Sequence, residues 1–467
     1  MAREKSKTTG RHFRPEAGHK IVERLPPCPR RYQTYWIESQ NAGPRLTNYL
    51  FKFPAKFHPP VVRWALGKYG RRGSPVLDPF TGSGTTQVEA MARGIPSVGV
   101  DIDPVACLMA RAKTTPLDPG VLEDALLEMR RQLDAPRRAR EILEAQPAAD
   151  ISDRRFALES VGLSIPSIPN MFHWFRRYVV IDLARILTTL DWLGPDGAVR
   201  SFFRACLGSV IRQVSNADPA PVSGVEVTRI QAEKNETRCI AVYKTFLAKC
   251  EQAIGDMKGL TDSLRCIDEQ PEAHVIQGDT LSLIDTLRSH GLPESDYPLV
   301  ITSPPYCRAV EYSRRHRLEM YWLGLIDSQV AHIRLKHRYL GRCLVRQGDW
   351  DESAPFRITE MNGSIKRIEG LAPEKGRTVR HYFSQIDSFL KCLPAVLKRN
   401  GTAVVVVGDS VCEGVRIPTS KYIRSLARRY FRINNTFSYA LRNHYMQYGL
   451  RNGEGIKEET VIVLKPW

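Results

Sequence analysis

Asp78-Pro79-Phe80-Thr81-Gly82-Ser83-Gly84-Thr85-Thr86 follows the short apolar run Pro75-Val-Leu and leads into Thr85 to Arg93, a stretch with helical spacing closed by Gly94. An apolar run that ends in an acidic residue and a glycine turn predicts a buried strand whose chain bends sharply at its carboxyl end. Ser97-Val-Gly-Val-Asp101 reads as a second strand, so strand, turn, helix and strand make a βαβ unit. The stretch lacks the lysine of a phosphate-binding P-loop, and Gln87 stands where G-x-G-x-x-G requires its third glycine. What remains is a turn at which Gly82 and Gly84 let the backbone approach a ligand. The carboxylate of Asp101, at the end of the next strand, is placed to accept both hydroxyls of a ribose. A nucleoside cofactor suits this arrangement better than a dinucleotide.

Farther along, His274-Val-Ile-Gln-Gly-Asp279 and Tyr297-Pro-Leu-Val-Ile-Thr302 predict two strands joined by a helix, again βαβ. The second strand ends in Thr302-Ser303-Pro304-Pro305-Tyr306. Two prolines cannot extend a central strand, but they leave their carbonyls free as acceptors beside a serine hydroxyl and an aromatic face. Such a group can hold a planar amine by its hydrogens while a tyrosine stacks on the ring; a plain turn with a surface tyrosine is the alternative. Phe389 to Leu397 predicts a helix stopped by Asn400-Gly401, Thr402 to Val407 a strand covered on both faces, and Thr460 to Leu464 a last strand. Upstream, Phe53-Pro-Ala-Lys-Phe57-His-Pro-Pro leads into a helix starting near Pro59 or Pro60. The expected fold is α/β, a doubly wound, mostly parallel, Rossmann-like sheet with a large, mainly helical insertion.

Four regions follow: a basic arm over 1–47, the cofactor-binding half over 48–115, a mainly helical insertion over 116–271, and the catalytic half over 272–467. The arm's first thirty residues, basic and rich in proline, read either as a frayed tail or as a DNA-contacting segment. Residues 307–380, inside the last region, form a second insertion with fifteen Lys/Arg against nine Asp/Glu and interleaved aromatics. That composition suits a phosphate backbone, or a solvated helical surface. The whole chain, 467 residues with a formal charge of +18, points to a polyanionic partner, nucleic acid first. No apolar run reaches membrane-spanning length and no signal peptide is evident, so a soluble cytoplasmic protein without membrane association is expected. Ten cysteines without a C-x-x-C pair argue against a metal site and for a reducing compartment.

The glycine stretch with Gly99-Val-Asp101, followed by Ser303-Pro-Pro-Tyr306, resembles the amino-group DNA methyltransferases that use S-adenosyl-L-methionine. The resemblance implies an enzyme that methylates the exocyclic amine of a base flipped from double-stranded DNA. It implies cofactor contacts from Phe57, Asp78, Phe80, Gly82, Gly84, Thr85, Asp101 and Asp279, and catalytic roles for Ser303, Pro304, Pro305 and Tyr306. Serine at the head of the tetrapeptide accompanies cytosine N-4 more often than adenine N-6 within that family, although many serine-type members place the tetrapeptide ahead of the glycine motif, unlike this chain. Tyr312 and Leu318-Glu-Met-Tyr-Trp-Leu-Gly324 resemble the stretch that follows the tetrapeptide in the cytosine subgroup. An RNA guanine N-2 methyltransferase and a non-catalytic nucleic-acid-binding subunit are the alternatives, and a restriction or defence partner is a possible companion. Cys307 has no part in this chemistry and is expected merely to pack.

Overall fold

A computed structural model of the chain describes residues 14–38, 46–53, 56–146, 149–194, 197–219, 224–308, 310–342, 344–345, 355–441 and 456–467. Eleven strands occur among them: β1 (Lys20–Val22), β2 (Thr34–Ile37), β3 (Val76–Asp78), β4 (Ser97–Asp101), β5 (Ala273–Gln277), β6 (Tyr297–Thr302), β7 (Leu397–Gly408), β8 (Ser410–Cys412), β9 (Val415–Ile417), β10 (Phe431–Ala440) and β11 (Glu458–Pro466). Nine of them form one sheet in the order β1-β2-β10-β11-β7-β6-β3-β4-β5, and β8 with β9 makes a small hairpin. All neighbours in the large sheet run parallel except β11, which is antiparallel to both β7 and β10. The chain winds outward from β3 to β4 and β5, then returns to place β6 on the other side of β3. β5 and β6 are therefore not neighbours, and the strand order reverses at β3/β6. Ligands of open α/β sheets bind at such a switch point, outside the carboxyl ends of the strands.

The central strands read as apolar runs because both faces are covered. Leu77, Val98, Val300, Val405 and Val407 pack on one side against the helices Pro373–Val396 and Thr419–Ala427. Val76, Leu299, Ile301, Val404 and Val406 point the other way, toward the helix Pro59–Tyr69. Between β4 and β5 every regular element of the described chain is a helix, from Pro104–Thr114 to Val242–Leu264. Leu122, Leu126, Met129 and Leu133 of the helix Pro119–Glu144 share one apolar cluster with Met91, Val105 and Met109. The insertion thus extends the core of the sheet domain.

Two local expectations are corrected. The arm expected over 1–47 includes β1 and β2, with Thr34 registered opposite Ser438 of β10, and Tyr35 and Ile37 buried beside Val61 and Phe437. Of the first thirty residues, expected to be a frayed tail or a DNA-contacting arm, residues 1–13 lie outside the described residues. The helix expected from Phe389 begins at Pro373 and ends at Val396, before Asn400-Gly401, which lies inside β7. The β6 register jumps there from Tyr297↔Leu397 to Leu299↔Thr402, so the extra residues bulge out. A side chain at Gly401 would meet the Lys398 carbonyl at 2.8 Å, so glycine suits the bulge. Within 307–380, Arg314 pairs with Glu226, Lys336 with Glu311, and Arg380 with Glu369, so part of the basic charge is met inside the protein. Among the described residues no helix is long and apolar enough to cross a membrane.

Candidate active site

β3 delivers the chain to Asp78, whose buried carboxylate accepts from the Phe80 amide at 3.1 Å, Thr302 Oγ1 at 2.7 Å and Thr86 Oγ1 at 2.6 Å. Burial pushes its pKa up to about 6, against the effect of those three hydrogen bonds. Asp78 braces the end of β3 to the end of β6 from behind. The following turn carries Gly82 at φ 50° and Gly84 at φ 80°. A Cβ on Gly82 would come within 3.3 Å of the Phe53 ring, and one on Gly84 within 2.8 Å of Ala110 Cβ. Gly82 thus faces the ligand side, whereas Gly84 permits the helix Thr85–Met91 to press on the helix Pro104–Thr114. Gln87, standing in place of a third glycine, ties the turn to β4 through Thr81 Oγ1 and the Val98 carbonyl.

In front of this turn opens a cleft of about 780 Å³, its open mouth included. Phe57, Phe80, Gly82, Thr85, Asp101 and Asp279 line it, and Ser303 and Pro305 also reach it. Four residues expected in the site do not line it: Asp78, Gly84, Pro304 and Tyr306. Asp101 Oδ2 accepts from the Gly82 amide at 2.8 Å and Oδ1 from the Asp103 amide at 2.9 Å. Each oxygen retains lone-pair capacity for a ligand hydroxyl. Asp103 is more fully committed, accepting from the amides of Val105 and Ala106 as a helix cap and meeting His316 Nδ1 at 2.6 Å. Asp279 Oδ1 accepts from the Leu281 amide at 2.9 Å. A glycine turn open to the cleft and a carboxylate at the next strand end fit the nucleoside portion of S-adenosylmethionine.

Burial, with Asp103 nearby, pushes the Asp101 pKa up to about 7. A protonated carboxyl is preferred by the folded chain there, so this group's contribution to stability is present below its unfolded pKa and is lost as pH rises through about 7. Ligand binding has the opposite sign, because only the ionised form accepts from both ribose hydroxyls. Calorimetry should find the S-adenosylmethionine Kd about tenfold lower at pH 8 than at pH 6. Asp101→Asn should abolish that dependence, and a pH-independent wild-type Kd would remove Asp101 from the site.

Further residues around the cleft carry no individual role in the sequence reading, although Phe53, Lys56 and Tyr312 lie in stretches it singles out. Phe53 stacks on Tyr312, with ring centroids 5.5 Å apart, and lies 5.0 Å from the His316 ring. Lys56 donates to the Asn48 carbonyl at 2.7 Å and sits over the Tyr49 ring, and burial lowers its pKa to about 8. The proline-rich segment around Phe57 points toward Phe53 and Lys56, but nothing local to His316 or Tyr339 marks them. Arg338 and Tyr339 complete the wall from the second insertion.

At the end of β6, Ser303 Oγ lies 3.1 Å from the Val406 carbonyl and 3.3 Å from the Tyr306 hydroxyl. Tyr306, expected to offer its face to a base, is instead only 7% exposed, with its ring against Gly408. Its hydroxyl donates to Glu459 Oε1 at 2.6 Å, and the Tyr439 hydroxyl donates to the other carboxylate oxygen. Burial raises the pKa of Glu459 above the usual carboxylate range. Cys307 is buried in the core. Among the described residues no group of three or more His, Cys, Asp or Glu could hold a metal ion.

Residues 4–112 match the family model described as DNA methylase, of N6/N4 type. The type II methyltransferase M.MvaI of Kocuria varians is 25% identical over 361 residues, which cover 76% of this chain and 74% of the relative. The type II methyltransferase M.BsoBI of Geobacillus stearothermophilus is 23% identical over 335 residues, or 67% of this chain and 59% of the relative. Among solved structures, the rRNA methyltransferase aviRa of Streptomyces viridochromogenes is 12% identical and covers 89% of each chain, with a TM-score of 0.32.

Proposed function

We propose that this chain, an amino-group DNA methyltransferase by the matches above, methylates N-4 of a cytosine flipped out of duplex DNA. The observation that carries the reading is that Asp101 and Ser303 line one cleft, although some two hundred residues separate the motifs that supply them. The serine at the head of Ser303-Pro-Pro-Tyr306 favours cytosine, by the family pattern, over adenine N-6. When bound, S-adenosylmethionine supplies an electrophilic methyl group. The amine that attacks it is conjugated into its ring, and acceptors for its hydrogens localise the lone pair. Ser303 Oγ and the Pro304 carbonyl are the proposed acceptors. The hydroxyl proton of Ser303 has partners on the protein side, in Val406 and Tyr306, which leaves oxygen lone pairs for the amine. No covalent adduct with the base is needed, in keeping with the burial of Cys307.

The proposed partner is double-stranded DNA inside the cell, and the type II names of the relatives suggest a restriction enzyme as companion. Nucleoside mass spectrometry of DNA from an expressing host tests the reading, with N4-methylcytosine as the expected product. N6-methyladenine would move the assignment to adenine, and a methylated ring carbon would overturn the reading of the tetrapeptide. The formal charge of +18 predicts that the logarithm of the DNA binding constant falls with log salt by a slope of several units, on the scale of several neutralised phosphates. A flat response in a fluorescence titration would show that the charge serves something other than the backbone.

A further inference from the structure

We infer that Glu459 is a positioning residue that fixes the direction of the hydrogen-bond chain Ser303–Tyr306–Glu459, so that the lone pairs of Ser303 face the target amine; this rests on the function proposed above. An ionised carboxylate only accepts. With Glu459 Oε1 2.6 Å from the Tyr306 hydroxyl, the phenol must donate toward Glu459, and its oxygen is then free to accept from Ser303, 3.3 Å away. The Val406 carbonyl, 3.1 Å from Ser303 Oγ, is likewise only an acceptor. Among the described residues, each hydrogen-bond partner of the Ser303 hydroxyl thus takes its proton and none offers one. If Glu459 were protonated or replaced by a donor, the phenol could turn, donate to Ser303 and occupy the lone pair that the amine needs.

The groups around Glu459 come from several elements. Tyr439 stands opposite it in the β10 register and donates to its second oxygen, and Gly408 of β7 stands opposite on the other side. The His58 ring stacks on Tyr439 at 5.1 Å, and Tyr312 lies near enough for the charge of Glu459 to raise its pKa. The adjacent Glu458 is engaged with His19 at 3.1 Å and Thr34 at 3.2 Å. Desolvation dominates at Glu459 and outweighs the two phenol hydrogen bonds, so its proton affinity is raised. The chain therefore holds its productive direction at high pH and loses it as pH falls through that raised value.

Single-turnover methylation at saturating DNA and S-adenosylmethionine, followed across pH, tests this with the titration of Asp101 removed from the rate. Wild type should lose rate toward acid with a midpoint above the ordinary carboxylate range, and a carbon-13 glutamate carboxyl resonance should titrate at the same midpoint. Glu459→Gln should slow transfer on the order of tenfold, lose that acid limb and bind cofactor as wild type does. Tyr439→Phe, which removes one donor from the carboxylate and keeps the ring, should move the acid limb to higher pH. Should Glu459→Gln fail to fold, the Tyr439→Phe shift alone decides. Wild type that methylates no exocyclic amine would defeat the proposed function. Wild type that does so, with acid limbs unchanged in Glu459→Gln or Tyr439→Phe, would overturn the inference about Glu459.

Discussion

Ser303→Ala should bind S-adenosylmethionine as wild type does and transfer the methyl group about tenfold to a thousandfold more slowly, the range for removing one preorganised hydrogen-bonding group. The effect belongs to the rate because the amine becomes cationic only as the new bond forms, so the serine oxygen matters most at that moment. The Val406 carbonyl and the Tyr306 hydroxyl would lose a donor, but Tyr306 keeps its bond to Glu459, so the end of β6 should keep its fold. Single-turnover assays with labelled cofactor on duplex DNA give the rate, and calorimetry gives the affinity. A Ser303→Ala enzyme as fast as wild type would mean that the amine is held elsewhere in the cleft.

Asp101→Ala should weaken S-adenosylmethionine by about 1.5–3 kcal/mol, the scale of a lost charge-assisted hydrogen bond and more than tenfold in Kd. The substitution also releases the amides of Gly82 and Asp103, which Asp101 holds at 2.8 and 2.9 Å. The glycine turn would then lose the restraint that shapes it. Asp101→Asn, which keeps one acceptor, should fall between wild type and alanine. An unchanged Kd for Asp101→Ala in calorimetry would leave Asp103 as the remaining carboxylate at that strand end.

β3, β4 and β6 are legible because each is a short apolar run that stops at residues with an evident chemical purpose, and the glycine turn ties the first two together. The pairing of Asp101 with Ser303 in one cleft follows from the same elements once the strand order reverses at β3. β1 and β2 are only three and four residues long, in a basic and proline-rich stretch, so their apolar pattern is too brief to register. Asn400-Gly401 carries an ordinary helix-stop signal and lies in a bulge, because the strand opposite decides the register. Tyr306 was expected to stack on a base because its motif places it beside the amine acceptors. Its inward turn depends on Glu459, 153 residues away, and no local pattern announces that carboxylate.

The antiparallel β11, wedged between β7 and β10, sets an order of assembly. β3, β4, β5, β6 and β7 precede β10 and β11 in the chain and can pair before them as it leaves the ribosome. β2 must wait for β10, and Tyr306 must wait for Glu459, both contributed by the last tenth of the chain. Such long waits slow folding, because the closure entropy is met before the contacts that compensate it exist. Translation thus delivers the strands around the glycine turn before the carboxylate that engages Tyr306.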